Sequence, residues 1–222
     1  MEWRYEMTNQ FINNEQLNYV KSQIALINDS MKKNVPEKVL TAVIDLANSK
    51  ISALFPNASI EKQDMLDVSK LKSDKEYDQY IDRLATYLLP FPLVTEQQLK
   101  KMFPKQKKLK LPDLGSIDYS KLTYLCWNDL RSNKKFIVYV LNGKLVGIEG
   151  SLTPTSKKNL CTFCNCFTEV SYFSTITKAK KSKSPDYYKA IGNLICTDST
   201  ECNQKITNVE HLTAFLSAAL AK

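Results

Sequence analysis

Hydrophobic residues recur at three- and four-residue intervals through the first ninety or so residues, a pattern that predicts helices. The pattern separates into four segments, at 13–30, 36–54, 59–71 and 74–89. In the second segment, the predicted buried face consists of Val39, Val43, Leu46, Ile51 and Leu54. Because short amphipathic helices bury their apolar faces against one another, residues 1–92 are expected to form a four-helix bundle.

The pattern changes after Pro90-Phe91-Pro92. Thr95 and Gln98 have the spacing of a capping box, which predicts a short helix that ends before Pro104. Beyond it, residues 122–127 and 135–141 are rich in β-forming side chains.

Asn142-Gly143 separates two apolar β-type runs, 136–141 and 144–149, and this arrangement predicts a β-hairpin. Further strands are expected at 171–177 and 187–196. A closing amphipathic helix is expected at 208–220, capped by Thr207 with Glu210. The predicted fold class is therefore α+β, with the helical bundle followed by an α/β domain over residues 93–222 that contains an antiparallel sheet.

Five of the six cysteines lie in the last third of the chain, and four of them form two pairs. Cys161 and Cys164 have the spacing of a metal-binding knuckle, whereas Cys196 and Cys202 have five residues between them and precede the predicted last helix. Four thiolates suit a closed tetrahedral Zn²⁺ site, which is structural because it leaves no coordination position for water. The layout predicts a treble-clef finger with one structural zinc ion.

Two other cysteines complicate this interpretation. Cys166 is a competing candidate for the first pair, but the single residue between it and Cys164 rarely lets both thiolates face one ion. Cys126 lies in a predicted strand and is expected in the core. The alternative for all of these cysteines is that they are small buried hydrophobic residues.

Charge is unevenly distributed along the chain, whose net charge is +8. Residues 1–92 hold 11 basic and 13 acidic residues, whereas residues 93–222 hold 20 and 10. The basic half is therefore expected to meet nucleic acid or an acidic protein surface. For nucleic acid, the side chains available for stacking on bases are Tyr119, Tyr124, Trp127 and Tyr172.

Signals of catalysis are missing from the sequence, so the chain is not expected to be an enzyme. It has five glycines and no phosphate-binding loop, zinc-protease helix motif or nucleophile elbow. The only histidine, His211, has no nucleophile in a recognisable arrangement. The start of the chain does not read as a secretory signal, and no apolar run is long enough to span a membrane, so a cytoplasmic location is expected.

Several segments of the C-terminal half resemble the FusB/FusC family of fusidic-acid resistance proteins. They are the Lys-rich segment 105–112, the Trp-Asn segment 125–139, residues 145–150, the first cysteine pair in 160–165, and the Ile-Cys-Thr-Asp-Ser-Thr-Glu-Cys-Asn segment 195–203. The resemblance runs in order from about residue 90 to 216 and is weaker in the N-terminal half.

The resemblance implies a helical bundle followed by a domain that holds a treble-clef zinc finger, with Cys161, Cys164, Cys196 and Cys202 as ligands. It implies binding to translation elongation factor G through the C-terminal domain and release of the factor from ribosomes stalled by fusidic acid. Contact with the ribosome is thus indirect, and a monomer is expected. The alternative function is a basic zinc-finger module that binds RNA or associates with the ribosome, without a role in drug resistance.

The chain departs from the family pattern at positions that face elongation factor G. Leu160 stands where an aromatic residue is frequent, and Ile191 and Leu194 stand where a basic and an aromatic residue precede the third ligand. The resemblance therefore implies a more aliphatic interface, with charge supplied by Lys178, Lys180, Lys181 and Lys189. Cys126 replaces a family glycine, and Cys166 is expected to be a free thiol.

Overall fold

The chain divides between Leu89 and Pro90 into two compact units, close to the predicted boundary after residue 92. The computed structural model describes residues 9–71, 73–177 and 189–221. Each unit has a hydrophobic core of its own. No helix in the described ranges combines the length and the apolar character that a bilayer span needs.

The N-terminal unit contains the four predicted helices: α1 (Asn14–Lys32), α2 (Glu37–Ala53), α3 (Ile60–Leu66) and α4 (Asp74–Ala85). The apolar face of α1 and the two tyrosines of α4 pack into one core. The helix α2 buries Ala47 and Ile51, but Val39 and Leu46 are about half exposed, so the predicted face is wrong at these two positions.

The C-terminal unit begins with α5 (Glu96–Met102), which starts at the predicted capping box of Thr95 and Gln98. The described residues that follow form two short 3-10 helices (Leu114–Ser116 and Tyr119–Lys121), a five-stranded antiparallel sheet in chain order and two α-helices, which confirms the predicted α+β class. The elements are β1 (Leu125–Asp129), β2 (Lys134–Leu141), β3 (Lys144–Leu160), β4 (Phe167–Ile176), β5 (Ala190–Cys196), α6 (Ser199–Lys205) and α7 (Glu210–Leu220).

The predicted hairpin joins β2 to β3. Asn142 and Gly143 have φ angles of 50° and 72°, and Leu141 pairs with Lys144 across the turn. Positive φ at both central residues gives a turn whose twist matches that of the strands, which is why Asn-Gly is favoured there. The strand β3 continues well beyond the predicted end at 149 and stops one residue before Cys161.

Each face of the sheet covers a separate core. Alternate residues of β1 and β2, such as Trp127 and Phe136, pack with Phe103 next to α5. The intervening residue Ile137 points to the other face and joins Phe215 of α7 and the cysteines. The candidate metal ligands therefore lie in the core on the same face of the sheet as Ile137.

The end of the chain differs from the sequence prediction in two respects. The helix α7 begins at Glu210 without a side-chain cap from its N-cap residue, so the capping box of Thr207 with Glu210 is wrong. Instead, Asn208 Oδ1 accepts a hydrogen bond from the backbone N of Glu210 at 2.7 Å. The short helix α6, which carries Cys202, was not predicted.

Replacing Gly150 by alanine is expected to destabilise the C-terminal unit by about 1–3 kcal/mol, because overpacking forces neighbouring atoms apart. A Cβ atom at this position in β3 would lie 2.3 Å from the carbonyl oxygen of Ser174 and 2.6 Å from the ring of Phe173. Urea denaturation would measure the change. The matched control is Gly115→Ala, whose Cβ would meet no atom closer than 3.4 Å. Equal midpoints for the two variants would contradict this account.

Candidate metal centre

The first cysteine pair lies on the turn that joins β3 to β4. The backbone N of Cys161 donates to the carbonyl of Cys166 at 2.9 Å, and the N of Asn165 donates to the carbonyl of Cys161 at 2.9 Å. Asn165 has a φ angle of 55°, a left-handed conformation that asparagine tolerates better than most residues. These bonds make a tight turn that aims the thiols of Cys161 and Cys164 to one side.

The second pair is supplied by a strand end and a helix. Cys196 is the last residue of β5, and Cys202 lies in α6. Asp198 begins α6 by accepting a hydrogen bond from the backbone N of Thr200 at 2.7 Å. The wide spacing of the pair therefore accommodates a capped turn, after which the helix carries its cysteine back toward the end of the strand.

The four sulfur atoms lie within 4.8 Å of one another. The distance between Cys161 Sγ and Cys202 Sγ is 3.9 Å, and that between Cys164 Sγ and Cys196 Sγ is 3.6 Å. A tetrahedral centre with Zn–S bonds of 2.3 Å requires sulfur separations of about 3.8 Å. The thiols therefore fit one Zn²⁺ ion, as predicted.

Burial and electrostatics agree with a closed structural site. None of the four cysteines is more than 4 % exposed, so water has no route to a fifth ligand position. Hydrogen bonds from the other three thiols, that of Cys164 first, lower the pKa of Cys161. The contact with Cys161 raises the pKa of Cys202, because thiolates at this distance repel one another. A divalent cation removes that repulsion, since it stabilises all four thiolates together.

Polar contacts fasten the metal centre to the sheet. Asn203, the neighbour of Cys202, is 3 % exposed. Its Oδ1 accepts from the backbone N atoms of Thr123 and Tyr124 at 2.7 and 3.1 Å. Its Nδ2 donates to the carbonyls of Tyr124 and Ser199, both at 3.0 Å. The orientation of α6 is thus fixed by the residues that lead into β1.

A buried lysine holds the other side of the centre. Lys135 is fully buried, and its Nζ donates to Asn128 Oδ1 at 2.9 Å and to the carbonyl of Thr197 at 3.1 Å. Thr197 directly follows Cys196, so this bond ties the end of β5 to β2. Burial raises the pKa of the nearby Cys126 thiol, which is partly buried and packs against the core.

The sixth cysteine lies beside the centre but is not grouped with the ligands. Cys166 is half-buried, and its thiol donates to the carbonyl of Cys164 at 3.4 Å. Burial raises its pKa, so it is less reactive than an exposed thiol. This placement agrees with the expected free thiol.

The residues predicted to contact a partner lie in different settings. Leu160 ends β3 and is 49 % exposed, and Lys189 is exposed next to β5. Ile191 and Leu194 are half-buried in β5 and pack against the core. The remaining predicted contacts, Lys178, Lys180 and Lys181, lie outside the described residues.

The structure shows two features that the sequence did not reveal. Asn203 could not be recognised as a bridging residue, because its partners lie about eighty positions earlier in the chain. Phe167 is 70 % exposed at the start of β4, directly opposite Leu160. The alternation of polar and apolar residues after the knuckle could have indicated its exposure, had the start of the strand been known.

Of the four rings considered for base stacking, two are buried, Tyr119 is half-buried and Tyr172 is exposed. Tyr124 and Trp127 are 1 % and 8 % exposed. The Nε1 of Trp127 donates to the carbonyl of Lys110 at 3.0 Å and so fastens the lysine-rich segment to the sheet. Tyr172 is 45 % exposed and lies over Gly192, where a Cβ would come within 2.5 Å of its hydroxyl.

Comparisons with known proteins match both units. Residues 11–92 match a family model described as elongation factor G-binding protein, N-terminal. Residues 101–218 match a model described as the FBP C-terminal treble-clef zinc-finger. A search of curated proteins found no match.

A solved structure titled "Structure of the fusidic acid resistance protein FusC" is similar over almost the entire chain. It has a TM-score of 0.80 and 31 % sequence identity, with 96 % of this chain and 100 % of that chain covered. These matches, together with the clustered cysteines, confirm the zinc centre and the resemblance found in the sequence. The chain belongs to the family of elongation factor G-binding proteins with a C-terminal treble-clef zinc finger.

Proposed function

We propose that this protein binds elongation factor G, promotes its release from ribosomes stalled by fusidic acid and thereby protects the drug's target. The observation that carries the proposal is the match of both units to the elongation factor G-binding family. The likeness to the fusidic acid resistance protein FusC supports the same function. The protein acts as a monomer in the cytoplasm, where the elongation cycle takes place.

The proposed role is binding rather than catalysis. The metal centre is enclosed by four thiolates that are almost fully buried. Such a centre has no position at which it could polarise a substrate or activate water, so it serves to rigidify the residues around it. Leu160 immediately precedes the first ligand and is exposed, which makes it the best supported contact among the predicted set.

Release requires only a difference in affinity. If the protein binds the released conformation of elongation factor G more tightly than the ribosome-bound one, it shifts the population toward release. The ratio of released to ribosome-bound elongation factor G cannot rise by more than the ratio of the two affinities. The ten excess positive charges of residues 93–222 accelerate encounter with an acidic surface of the factor.

RNA binding is the less well supported function. Single-stranded RNA is recognised through exposed aromatic rings, and two of the four candidate rings are buried in the C-terminal unit. The lysines of residues 93–222 would attract the phosphates of RNA, but they do not provide a surface on which a base could stack. They suit a steering role toward an acidic protein surface equally well.

Zinc-loaded protein is expected to bind purified elongation factor G with one-to-one stoichiometry in a calorimetric titration. The association rate is expected to fall at least about tenfold between low salt and 0.5 M salt, because screening removes the steering by lysines. In a ribosome-pelleting assay with fusidic acid, the protein should move the factor into the supernatant.

The Cys161→Ser variant is the negative control. It lacks a folded zinc finger and should neither bind elongation factor G nor release it from the ribosome. Absence of binding to elongation factor G by the zinc-loaded protein at low salt would refute the proposed function. Binding to RNA alone would establish the alternative.

A further inference from the structure

We infer that Phe167, paired across the strands with Leu160, is the aromatic anchor of the contact with elongation factor G. The inference rests on the proposed function and names a contact residue that the family pattern does not assign. It concerns one small surface, the outward pair formed by these two side chains at the base of the zinc knuckle.

The exposure of this pair is the first observation. Phe167 is 70 % exposed and Leu160 is 49 % exposed. Large apolar side chains scattered on a surface are common, but these two are directly opposite each other in the β3–β4 register. Residues in such positions share a face of the sheet and have Cβ atoms about 5 Å apart, so they form one apolar surface.

Packing does not account for the phenylalanine. Within the described residues, Phe167 belongs to none of the three hydrophobic clusters and lies against no other ring. Its neighbour in the knuckle, Phe163, is by contrast 1 % exposed and contacts Tyr124 and Phe215. The fold therefore uses one knuckle phenylalanine for its core and leaves the other in solvent.

The backbone under the pair is rigid. Leu160 is bonded directly to the ligand Cys161, and the backbone bond between Cys161 and Cys166 closes the knuckle just before Phe167. Binding to a surface that is already ordered costs little conformational entropy. A side chain fixed in this way suits an anchor residue better than one on a mobile loop.

Charged residues border the apolar pair. Lys158 and Glu169 pair with each other two positions further from the knuckle, and both are exposed like Leu160 and Phe167. An apolar centre with a polar rim of both charges is the arrangement found at protein interfaces, where aromatic residues provide much of the binding energy.

Elongation factor G is the occupant that the position favours. Leu160 is the best exposed of the three aliphatic residues predicted to contact the factor, and Phe167 lies directly opposite it. The second predicted contact, Leu194, pairs instead with Tyr172, five residues further along β4. Leu194 therefore pairs with neither Leu160 nor Phe167, and the inference concerns those two residues alone.

The test is a titration of elongation factor G with full-length, zinc-loaded protein and its Phe167→Ala variant. The variant is expected to bind at least tenfold more weakly, whereas Phe167→Tyr retains affinity within about threefold. Leu130→Ala is the matched control, because Leu130 is 83 % exposed at the β1–β2 turn, outside the zinc knuckle. It should change the affinity less than twofold. One zinc per chain and an unchanged melting temperature establish that each variant is folded.

A double-mutant cycle with Leu160→Ala adds a second readout. Because the two side chains form one surface, their effects are expected to be less than additive. The loss caused by Phe167→Ala should also persist at 0.5 M salt, where the contribution of the lysines is screened.

The outcomes separate the inference from the function on which it rests. If the wild type binds and Phe167→Ala binds within twofold of it, the anchor is refuted and the proposed function stands. If the wild type does not bind elongation factor G, the proposed function fails and the inference fails with it. If sedimentation shows a dimer that Phe167→Ala dissociates, the surface belongs to self-association and the inference is overturned.

Discussion

The Cys161→Ser substitution is expected to abolish zinc binding and to unfold the C-terminal unit while the N-terminal helices remain folded. Binding of structural zinc contributes roughly 10–16 kcal/mol in small metal domains, which exceeds the stability of most single domains. Cys161 is fully buried, and its sulfur also accepts a hydrogen bond from the backbone N of Cys196 at 3.3 Å. The serine hydroxyl is shorter and a weak zinc ligand, so three thiolates would remain around an incomplete site.

Metal analysis and thermal unfolding followed by circular dichroism would test this prediction. The helical signal should persist and the cooperative transition of the C-terminal unit should disappear. Cys166→Ser is the matched control, since it changes the same atom in the same knuckle at a position outside the four-sulfur cluster. It should retain one zinc per chain. A Cys161→Ser protein with full zinc occupancy would show that the ligand assignment is wrong.

The Asn203→Ala substitution is expected to lower the stability of the C-terminal unit by roughly 3–5 kcal/mol. Each buried group left without a partner costs about 1–3 kcal/mol, and alanine would leave the amides of Thr123 and Tyr124 and the carbonyl of Tyr124 without the contacts that Asn203 makes. The effect should extend to the metal, because α6 would lose the contact that orients Cys202.

Chemical denaturation and competition with a zinc chelator would measure the two effects. The control is Gln204→Ala on the same helix, an exposed position where alanine should change stability by less than about 0.5 kcal/mol. An Asn203→Ala protein that unfolds at the wild-type midpoint and keeps its zinc would show that these hydrogen bonds are replaceable.

Features encoded locally could be predicted from the sequence. The four N-terminal helices, the capping box at Thr95 and the Asn142-Gly143 hairpin each depend on residues within one turn of one another. The spacing of Cys161 and Cys164 also predicted a metal-binding knuckle, because two thiols separated by two residues can reach one ion. The resemblance then assigned the second pair, whose spacing alone was ambiguous.

Features that depend on packing between distant segments could not be predicted. The apolar residues Val39 and Leu46 are spaced like the buried Ile51, yet they are about half exposed, and α2 buries Ala47 beside Ile51. Periodicity identifies an apolar face without showing which part of it meets a neighbour. Likewise, nothing local marks Asn203 as the residue that binds the entry to β1.

The same limit applies to the contact surface. The family pattern directed attention to the positions preceding two ligands, and only Leu160 among the aliphatic ones is well exposed. Phe167 is the neighbour of Leu160 across the strands β3 and β4. The zinc knuckle forms the turn between these strands and so sets their register. A residue's neighbours across a sheet are known only once the register is known.

The hydrogen bonds of Asn203 also determine when the protein can mature during its own synthesis. Those to Thr123 and Tyr124 join residues 80 and 79 positions apart, so the C-terminal unit cannot close until residue 203 has been made. At about 5–20 residues per second, the N-terminal helices have several seconds to fold before that point. During this time Cys161 and Cys164 lack Cys196 and Cys202, and the edge of β4 that later pairs with β5 is open. Zinc supply and protection by chaperones in this interval would therefore set the yield of functional protein.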